Sequence, residues 1–283
     1  MTGTGIPTAE DFDLIKKLDK DIKKAALTLG AAEARYLVDA YYTIQEDRKR
    51  TTSQAKQLDG KEPNIVIEWF AEQNARLEKQ LQVALDVYSY NHPIGSWARS
   101  VKGIGPVLAA GLLAHFDIHK APTVGHFWAF AGLDPTKKWE KGCKRPWNAD
   151  LKVLCWKIGE SFCKLSGPKS ANPSPYGLLY RERKAMEEGK NLAGDYADQA
   201  SAALASKNYS KETEAYKHYI DGKLPPAQID RRAKRWTVKV FLSHLHQVWF
   251  EHEFKRPAPV PYALAHLKHE HFIEVGTCKK VIK

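Results

Sequence analysis

Val101-Lys102-Gly103-Ile104-Gly105-Pro106-Val107-Leu108-Ala109-Ala110 decides how this chain is read, because two glycines flank one apolar residue and a helix-starting proline follows at once. Gly103 and Gly105 can take the positive φ of a tight reversal, and without Cβ atoms they let another backbone come close. Pro106 suits the first position of a helix, where no backbone N–H is required. The expected local structure is a short helix from Ser96 to Val101, a two-glycine hairpin and a second helix. Unpaired amides at the start of that second helix, with the positive end of its dipole, would face an anion at the hairpin. Ile104 should plug the junction, and Ala109, Leu112 and Leu113 should pack the second helix on the first.

This spacing resembles the helix-hairpin-helix motif, a module that holds DNA by its backbone without reading bases. The alternative is an ordinary corner between two helices. On the first reading the phosphate contacts come from Lys102, Gly103, Ile104, Gly105, Pro106 and Val107.

Composition agrees with a polyanionic partner. The 283 residues are 43% hydrophobic and 11% aromatic, which excludes a coreless, disordered chain, and the net charge is +11. Simple solubility charge is the competing explanation, but the excess is localised. Residues 1–92 carry 13 Lys/Arg against 15 Asp/Glu, whereas residues 135–190 carry 13 against 6. The basic block begins just after the hairpin. Within it, Lys137, Lys138, Lys141, Lys144 and Arg145 alternate with Trp139 and Trp147 over a loop expected from Thr136 to Asn148. Cations beside aromatic rings are a frequent nucleic-acid surface, with stacking available to an unpaired base. A solvated loop anchored by its tryptophans is the alternative.

Working outward, Ile15, Leu18, Ile22 and Ala26 and then Leu37, Ala40, Tyr41 and Ile44 recur at helical spacing, and Thr51 to Lys61 reads as a polar connection. Leu77, Leu81, Leu85 and Tyr88 mark a long amphipathic helix opened by Glu62 and Pro63 and broken by Pro93 and Gly95, one suited to pairing with another helix. Thr123 is placed to cap a helix through Phe127, Trp128 and Phe130 that stops at Gly132. Leu151, Leu154, Cys155, Ile158 and Phe162 give a buried helix face over Ala149 to Leu165. Tyr180 to Lys190 and Asp195 to Leu204 read as solvated helices. Trp236, Val240, Phe241, Leu245, Val248 and Trp249 give an apolar helix, entered through Arg231, Arg232, Lys234 and Arg235. The last thirty residues, with Pro257, Pro259 and Pro261, should be extended. No strand alternation stands out. The expected fold is all-α or mostly α: a helical bundle with a long amphipathic helix, a helix-hairpin-helix module and a C-terminal helical region. Its segments are 1–92, 93–165 and 166–283.

Cys143, Cys155, Cys163 and Cys278 show no CxxC pair, so reduced structural thiols are expected. His244 and His246 would point to different sides of a helix, and His252, His266, His269, Glu270 and His271 form no convincing ligand set. Neither a metal nor a cofactor is expected. With no signal-peptide pattern and no membrane-spanning run, a cytoplasmic, nucleoid-associated protein is expected.

Residues 62–165 also resemble the C-terminal module of the Piv/MooV-like insertion-sequence transposases, the DEDD transposases. The resemblance rests on Gly103-Ile104-Gly105-Pro106 with Ala109-Ala110 and Leu112-Leu113-Ala114, followed by Phe127-Trp128-Ala129-Phe130-Ala131-Gly132-Leu133-Asp134-Pro135. It implies a protein related to recombinases that move DNA, some of them guided by a structured RNA. Family members add an N-terminal RuvC-like domain with magnesium-binding acidic residues and a serine nucleophile after the Gly-Leu-x-Pro turn. This chain departs on both points. Its first 60 residues are short and helical, and Trp139-Glu140-Lys141-Gly142-Cys143 stands where the serine loop would be. The leading expectation is a DNA-binding protein that holds duplex or branched DNA and lacks autonomous catalysis. An active transposase or recombinase with a rearranged site, using Thr136 or Cys143, is one alternative. A helical scaffold for structured RNA or protein is another. Self-association through the long helix is a further expectation.

Overall fold

The computed structural model describes residues 16–58, 65–167, 173–260 and 273–275. Among them the structure is all-α, with no strand. Eleven α-helices follow one another: α1 (Lys20–Ala25), α2 (Ala31–Leu58), α3 (Ile65–Asn91), α4 (Pro93–Ser100), α5 (Pro106–His115), α6 (Val124–Phe130), α7 (Ala149–Lys164), α8 (Pro175–Leu192), α9 (Ala197–Ser206), α10 (Glu214–Ile220) and α11 (Pro226–Phe254). Single 3₁₀ turns lie at Ala26–Thr28 and Ile118–Lys120. Packing divides the chain into two compact units. One runs to Arg99 and resumes over Gly105–Phe116; the other comprises Ser100–Ile104 and the described residues from Asp117 onward.

The first unit is built on α2 and α3. Val38 and Tyr41 of α2 meet Leu85 of α3 in one cluster, while Gln45 and Arg48 meet Glu78, so the partner number falls as the α2 number rises and the helices run antiparallel. At about 1.5 Å per residue each spans roughly 40 Å. The stripe expected on α3 is covered within the chain: Leu81, Leu85 and Tyr88 join the cluster with Val107 and Ala110 of α5. Helix α5 is apolar all round, and Val107, Ala109, Ala110, Gly111, Leu112, Leu113 and Ala114 are all buried. A helix of that kind has to be enclosed. Its alanines and glycine let α2 and α3 approach closely, and Arg35 of α2 donates to the Ala114 carbonyl at 2.5 Å near its C-terminal end.

Three expectations change here. Thr51 to Leu58 is not a connection but the last part of α2; Gln54, Ala55, Lys56 and Gln57 are good helix formers, and the buried Thr51 donates to the Asp47 carbonyl. The first helix is only six residues long, capped by the Asp19 side chain, and it leaves Ile22 exposed; Ile15 lies outside the described residues. The helix before the hairpin starts at Pro93, not Ser96, because the proline occupies a helix-starting position and Gly95 is accommodated within the helix. There a Cβ would come within 2.0 Å of the Ser89 carbonyl and 2.7 Å of Leu113 Cδ1.

The second unit is organised by α11, which packs on α6, α7, α8 and the 3₁₀ turn. Phe162 of α7 stacks on Tyr176 of α8 at 4.9 Å, and Phe241 of α11 meets both rings edge-on at 5.5 and 5.3 Å. Such pairs add roughly 1 kcal/mol beyond the area they bury. Phe241, Leu245 and Trp249 are buried as expected, whereas Trp236, Val240 and Val248 are only half-buried. Helix α8 is not simply solvated. It buries Tyr176, Gly177, Tyr180 and Glu187, and at Gly177 a Cβ would lie 2.7 Å from the Leu165 carbonyl.

Glu187 is the unexpected element. Its carboxylate accepts from Arg183, Arg232 and Tyr196, while its side chain is only 1% exposed. Burial alone would raise its pKa, but the donors from Tyr196, Arg232 and Arg183 outweigh it and hold the group at about 2. Because the folded value lies below the unfolded one, this stabilisation is fully present above about pH 4.5 and disappears as pH falls toward 2. Glu187→Ala should therefore cost about 3 kcal/mol in denaturant melts at neutral pH, since it leaves two half-buried arginines without their carboxylate. The gap between the variant and the native protein should narrow in melts repeated down to pH 3.

Candidate nucleic-acid interface

The hairpin is asymmetric. Gly103 has φ of +110°, a conformation that favours glycine, whereas Gly105 has φ of −85° and ψ of 179°, an extended residue at the N-cap of α5. Only one of the two glycines is needed for the turn. An added Cβ at Gly103 would sit 3.1 Å from the Phe162 ring and 3.2 Å from Leu165 Cδ1, while none would meet anything within 4 Å at Gly105. The turn is closed by the Ile104 amide donating to the Val101 carbonyl at 3.0 Å, and Ile104 is buried as expected.

Hydroxyl groups fix the carbonyls of the tip. Ser161 of α7 donates to the Gly103 carbonyl at 2.6 Å, and Ser174, just before α8, donates to the Lys102 carbonyl at 2.7 Å. In a planar trans peptide the carbonyl and the following N–H point opposite ways, so the Ser174 contact turns the Gly103 amide outward. Pro106 begins α5 as expected, and the Ala109 amide is the first to return to the helix, on the Gly105 carbonyl at 3.0 Å. The amides of Gly105, Val107 and Leu108 have no hydrogen-bond acceptor among the described residues. Lys102 is exposed. Leu113 reaches α4 at Gly95, but α5 packs chiefly on α2 and α3, not on the helix before the hairpin.

After α6, the chain stops as the sequence suggests. Gly132 at φ +65° sends its amide to Ala129, and Leu133 sends its own to Trp128, closing a Schellman ending. Thr123 stands at the N-cap position, but its hydroxyl meets His126 Nδ1 at 3.0 Å and not a backbone amide. The basic loop has no regular structure, and Lys137, Lys138, Lys141, Lys144 and Arg145 are all exposed. Its tryptophans behave differently. Trp147 anchors the loop against Gly132, where a Cβ would lie 2.8 Å from its ring, whereas Trp139 is 42% exposed, with the Arg145 guanidinium 5.3 Å above its centroid. Asn148 ends the loop by capping α7 through the Leu151 amide.

Thr136, one candidate nucleophile, donates its hydroxyl to Asp134 Oδ1 at 2.8 Å, and its backbone amide donates to the same oxygen at 2.9 Å. That amide is the main reason the Asp134 carboxyl lies below its ordinary value, with the charges of Lys137 and Lys239 adding to it. The arrangement is an Asx-type turn around an ionised acid. Cys143 is exposed; Cys155 is buried, and burial pushes its thiol up to about 12. His244 and His246 are both buried and engaged, His244 between the Tyr176 hydroxyl and the Ile273 carbonyl, His246 on the Ala121 carbonyl at 2.8 Å. Burial lowers the His246 pKa. His252 is exposed, and His266, His269, Glu270, His271, Pro261 and Cys278 lie outside the described residues. Among the described residues no three His, Cys, Asp or Glu side chains gather, and no helix is long and apolar enough to cross a membrane.

The structure also brings to the basic loop cations that the sequence places far away. Lys152 of α7 lies 4.1 Å from the centroid of Trp147, and Lys239 of α11 lies 4.2 Å from that of Trp128. Crowding by protein lowers the pKa of Lys152, and Arg235 and Arg145 lower it further. Burial likewise lowers Lys239, with Arg235 adding to the effect and Asp134 opposing it. Arg235, although it reaches water, is lowered by its crowded setting and by Arg232. Neighbouring Lys234 and Arg232 are neutralised, the former by Glu160 and Asp230, the latter by Glu187. The sequence signal for this cluster was the Arg231 to Arg235 run; what it lacked was which members find carboxylates.

Residues 96–139 match the model of the transposase IS116/IS110/IS902 family. This stretch holds most of α4, the hairpin, α5, α6 and the first basic residues of the loop, so the likeness to transposases lies in the hairpin and the helices around it. No curated protein and no solved structure matches the chain.

The two hairpin glycines should separate in a stability assay. Gly103→Ala should lose about 2 kcal/mol, from the strained φ and the displaced Phe162 ring, while Gly105→Ala should lose less than about 1 kcal/mol. Chemical denaturation of both variants checks the difference; equal losses would contradict the asymmetric turn.

Proposed function

We propose that this protein binds duplex or branched DNA by its phosphate backbone, through a helix-hairpin-helix at Lys102, Gly103, Ile104, Gly105, Pro106 and Val107 and through the loop cations Lys137, Lys138, Lys141, Lys144 and Arg145. The reading is carried by one observation: the amides of Gly105, Val107 and Leu108 stand at the start of α5 without an acceptor among the described residues, beside a glycine with open space where a Cβ would be. A phosphate oxygen supplies the missing acceptors, and the helix dipole favours its charge. The family match supports a DNA-handling role for the same stretch.

The functional segments are 1–92 as a helical support, 93–165 as the DNA-binding module and 166–283 as a helical region with a tail. Catalysis, in this reading, belongs to a partner. The hydroxyl of Thr136 is spent on closing the Asp134 turn, which supports a structural role for that residue. The protein acts in the cytoplasm on nucleoid DNA.

Gly105→Asp tests the proposal, because aspartate is a favourable N-cap residue yet places a negative charge where the phosphate would lie. Fluorescence anisotropy with a labelled duplex should show at least tenfold weaker binding with unchanged helicity. For the native protein, the logarithm of the binding constant should fall linearly with the logarithm of salt, with little dependence on sequence. Native-like duplex binding by a folded Gly105→Asp protein would overturn the hairpin assignment. Stronger competition by structured RNA than by duplex or four-way-junction DNA would favour the scaffold reading instead.

A further inference from the structure

We propose that Lys152, Arg235 and Lys239, with Arg145 beside them, form a second phosphate-binding platform in the second unit that engages the backbone of duplex DNA. It rests on the DNA-binding reading but uses none of the hairpin residues. The four cations come from the loop, α7 and α11, and they are close enough for their charges to act on one another. Among the described residues Lys152, Arg235 and Lys239 form no ion pair; Asp134, near Lys239, is the acidic side chain that acts on the group. This is unlike the neighbouring cations of α11. Lys234 and Arg232 each have a carboxylate. Four cations with one nearby carboxylate repel one another, and an anion relieves the repulsion.

The tryptophans determine which part of a nucleic acid fits. Lys152 and Lys239 each lie over a tryptophan ring, which holds the ammonium in place and covers the face that a base would stack on. The indole nitrogen of Trp128 is also committed, donating to the Lys239 carbonyl at 3.1 Å. The rings therefore act as supports for charge, and the exposed Lys152 and Arg235, with the half-buried Lys239, are suited to phosphates. A duplex offers phosphates at regular spacing with its bases already stacked. A single strand, whose added affinity comes from stacking bases on aromatic rings, gains little here.

The test is a salt titration of the full-length chain with a labelled duplex, comparing the native protein with the triple variant Lys152→Gln, Arg235→Gln, Lys239→Gln. Each lost phosphate contact should reduce the steepness of log K against log salt by about 0.9, so the triple variant should lose about 2 to 3 from the slope. Its affinity near 0.1 M salt should fall at least tenfold. Lys152→Gln alone, an exposed substitution, should reduce the slope by about 0.9 and gives the answer if the triple variant fails to fold. An unchanged slope and affinity in either folded variant overturns the platform, as does tighter binding of the native protein to an oligo(dT) strand than to a duplex of equal length. Gly105→Asp in the same assay separates the two proposals. If it binds normally while the triple variant does not, the hairpin reading fails and the platform stands; the reverse pattern keeps the hairpin and removes the platform.

Discussion

Two serine hydroxyls and one glycine set the backbone on which the rest of the interface depends. Ser161 and Ser174 hold the carbonyls of Gly103 and Lys102, and Gly103 alone supplies the positive φ that lets both be reached in a single tight turn. With those carbonyls satisfied by the protein, the Gly103 amide faces away from Ser174, the Ile104 amide closes the turn on the Val101 carbonyl, and Pro106 launches α5 without adding another unmet donor. Phe162 and Leu165, packed under Gly103, would have to give by a few tenths of an ångström to admit a Cβ there. The aromatic contacts of Phe162 with Tyr176 and Phe241 thus support the turn from below.

Charge is distributed in the same economical way. Several helix cations pair with carboxylates within the fold: Arg48 with Glu78, Arg99 with Asp86, Arg183 and Arg232 with Glu187, Lys234 with Glu160 and Asp230. Lys152, Arg235 and Lys239 stand apart from these, with no ion pair among the described residues although they cluster beside the exposed loop lysines. Net charge by itself is compatible with a polyanionic partner; the pairing pattern separates cations that already have a carboxylate from those of the proposed platform.

Much of this was legible because it is local. The glycine pair with its proline, the stop at Gly132 and the periodic face of Leu151, Leu154, Ile158 and Phe162 are written within a few residues of one another, and backbone sterics act at that range. The resemblance to insertion-sequence transposases was carried by the same short stretch that the family model matches. Gly105 was misread because an N-cap glycine and a turn glycine look alike in sequence. Thr51 to Leu58 was misread because its polar residues mark a solvated helix as readily as a loop. Glu187 and the Lys152 to Lys239 cluster were illegible for another reason. Their partners lie up to 111 positions away, and only the packing of α6, α7 and α8 on α11 brings them together.

The central claim is that backbone amides of the hairpin hold a phosphate, and amide resonances report on it directly. In a heteronuclear NMR titration of the labelled protein with duplex DNA, the Gly105, Val107 and Leu108 amide protons should move downfield and become protected from exchange, more than those of the exposed α2 surface. Unshifted, unprotected amides at these three positions in a DNA-saturated sample would contradict the account.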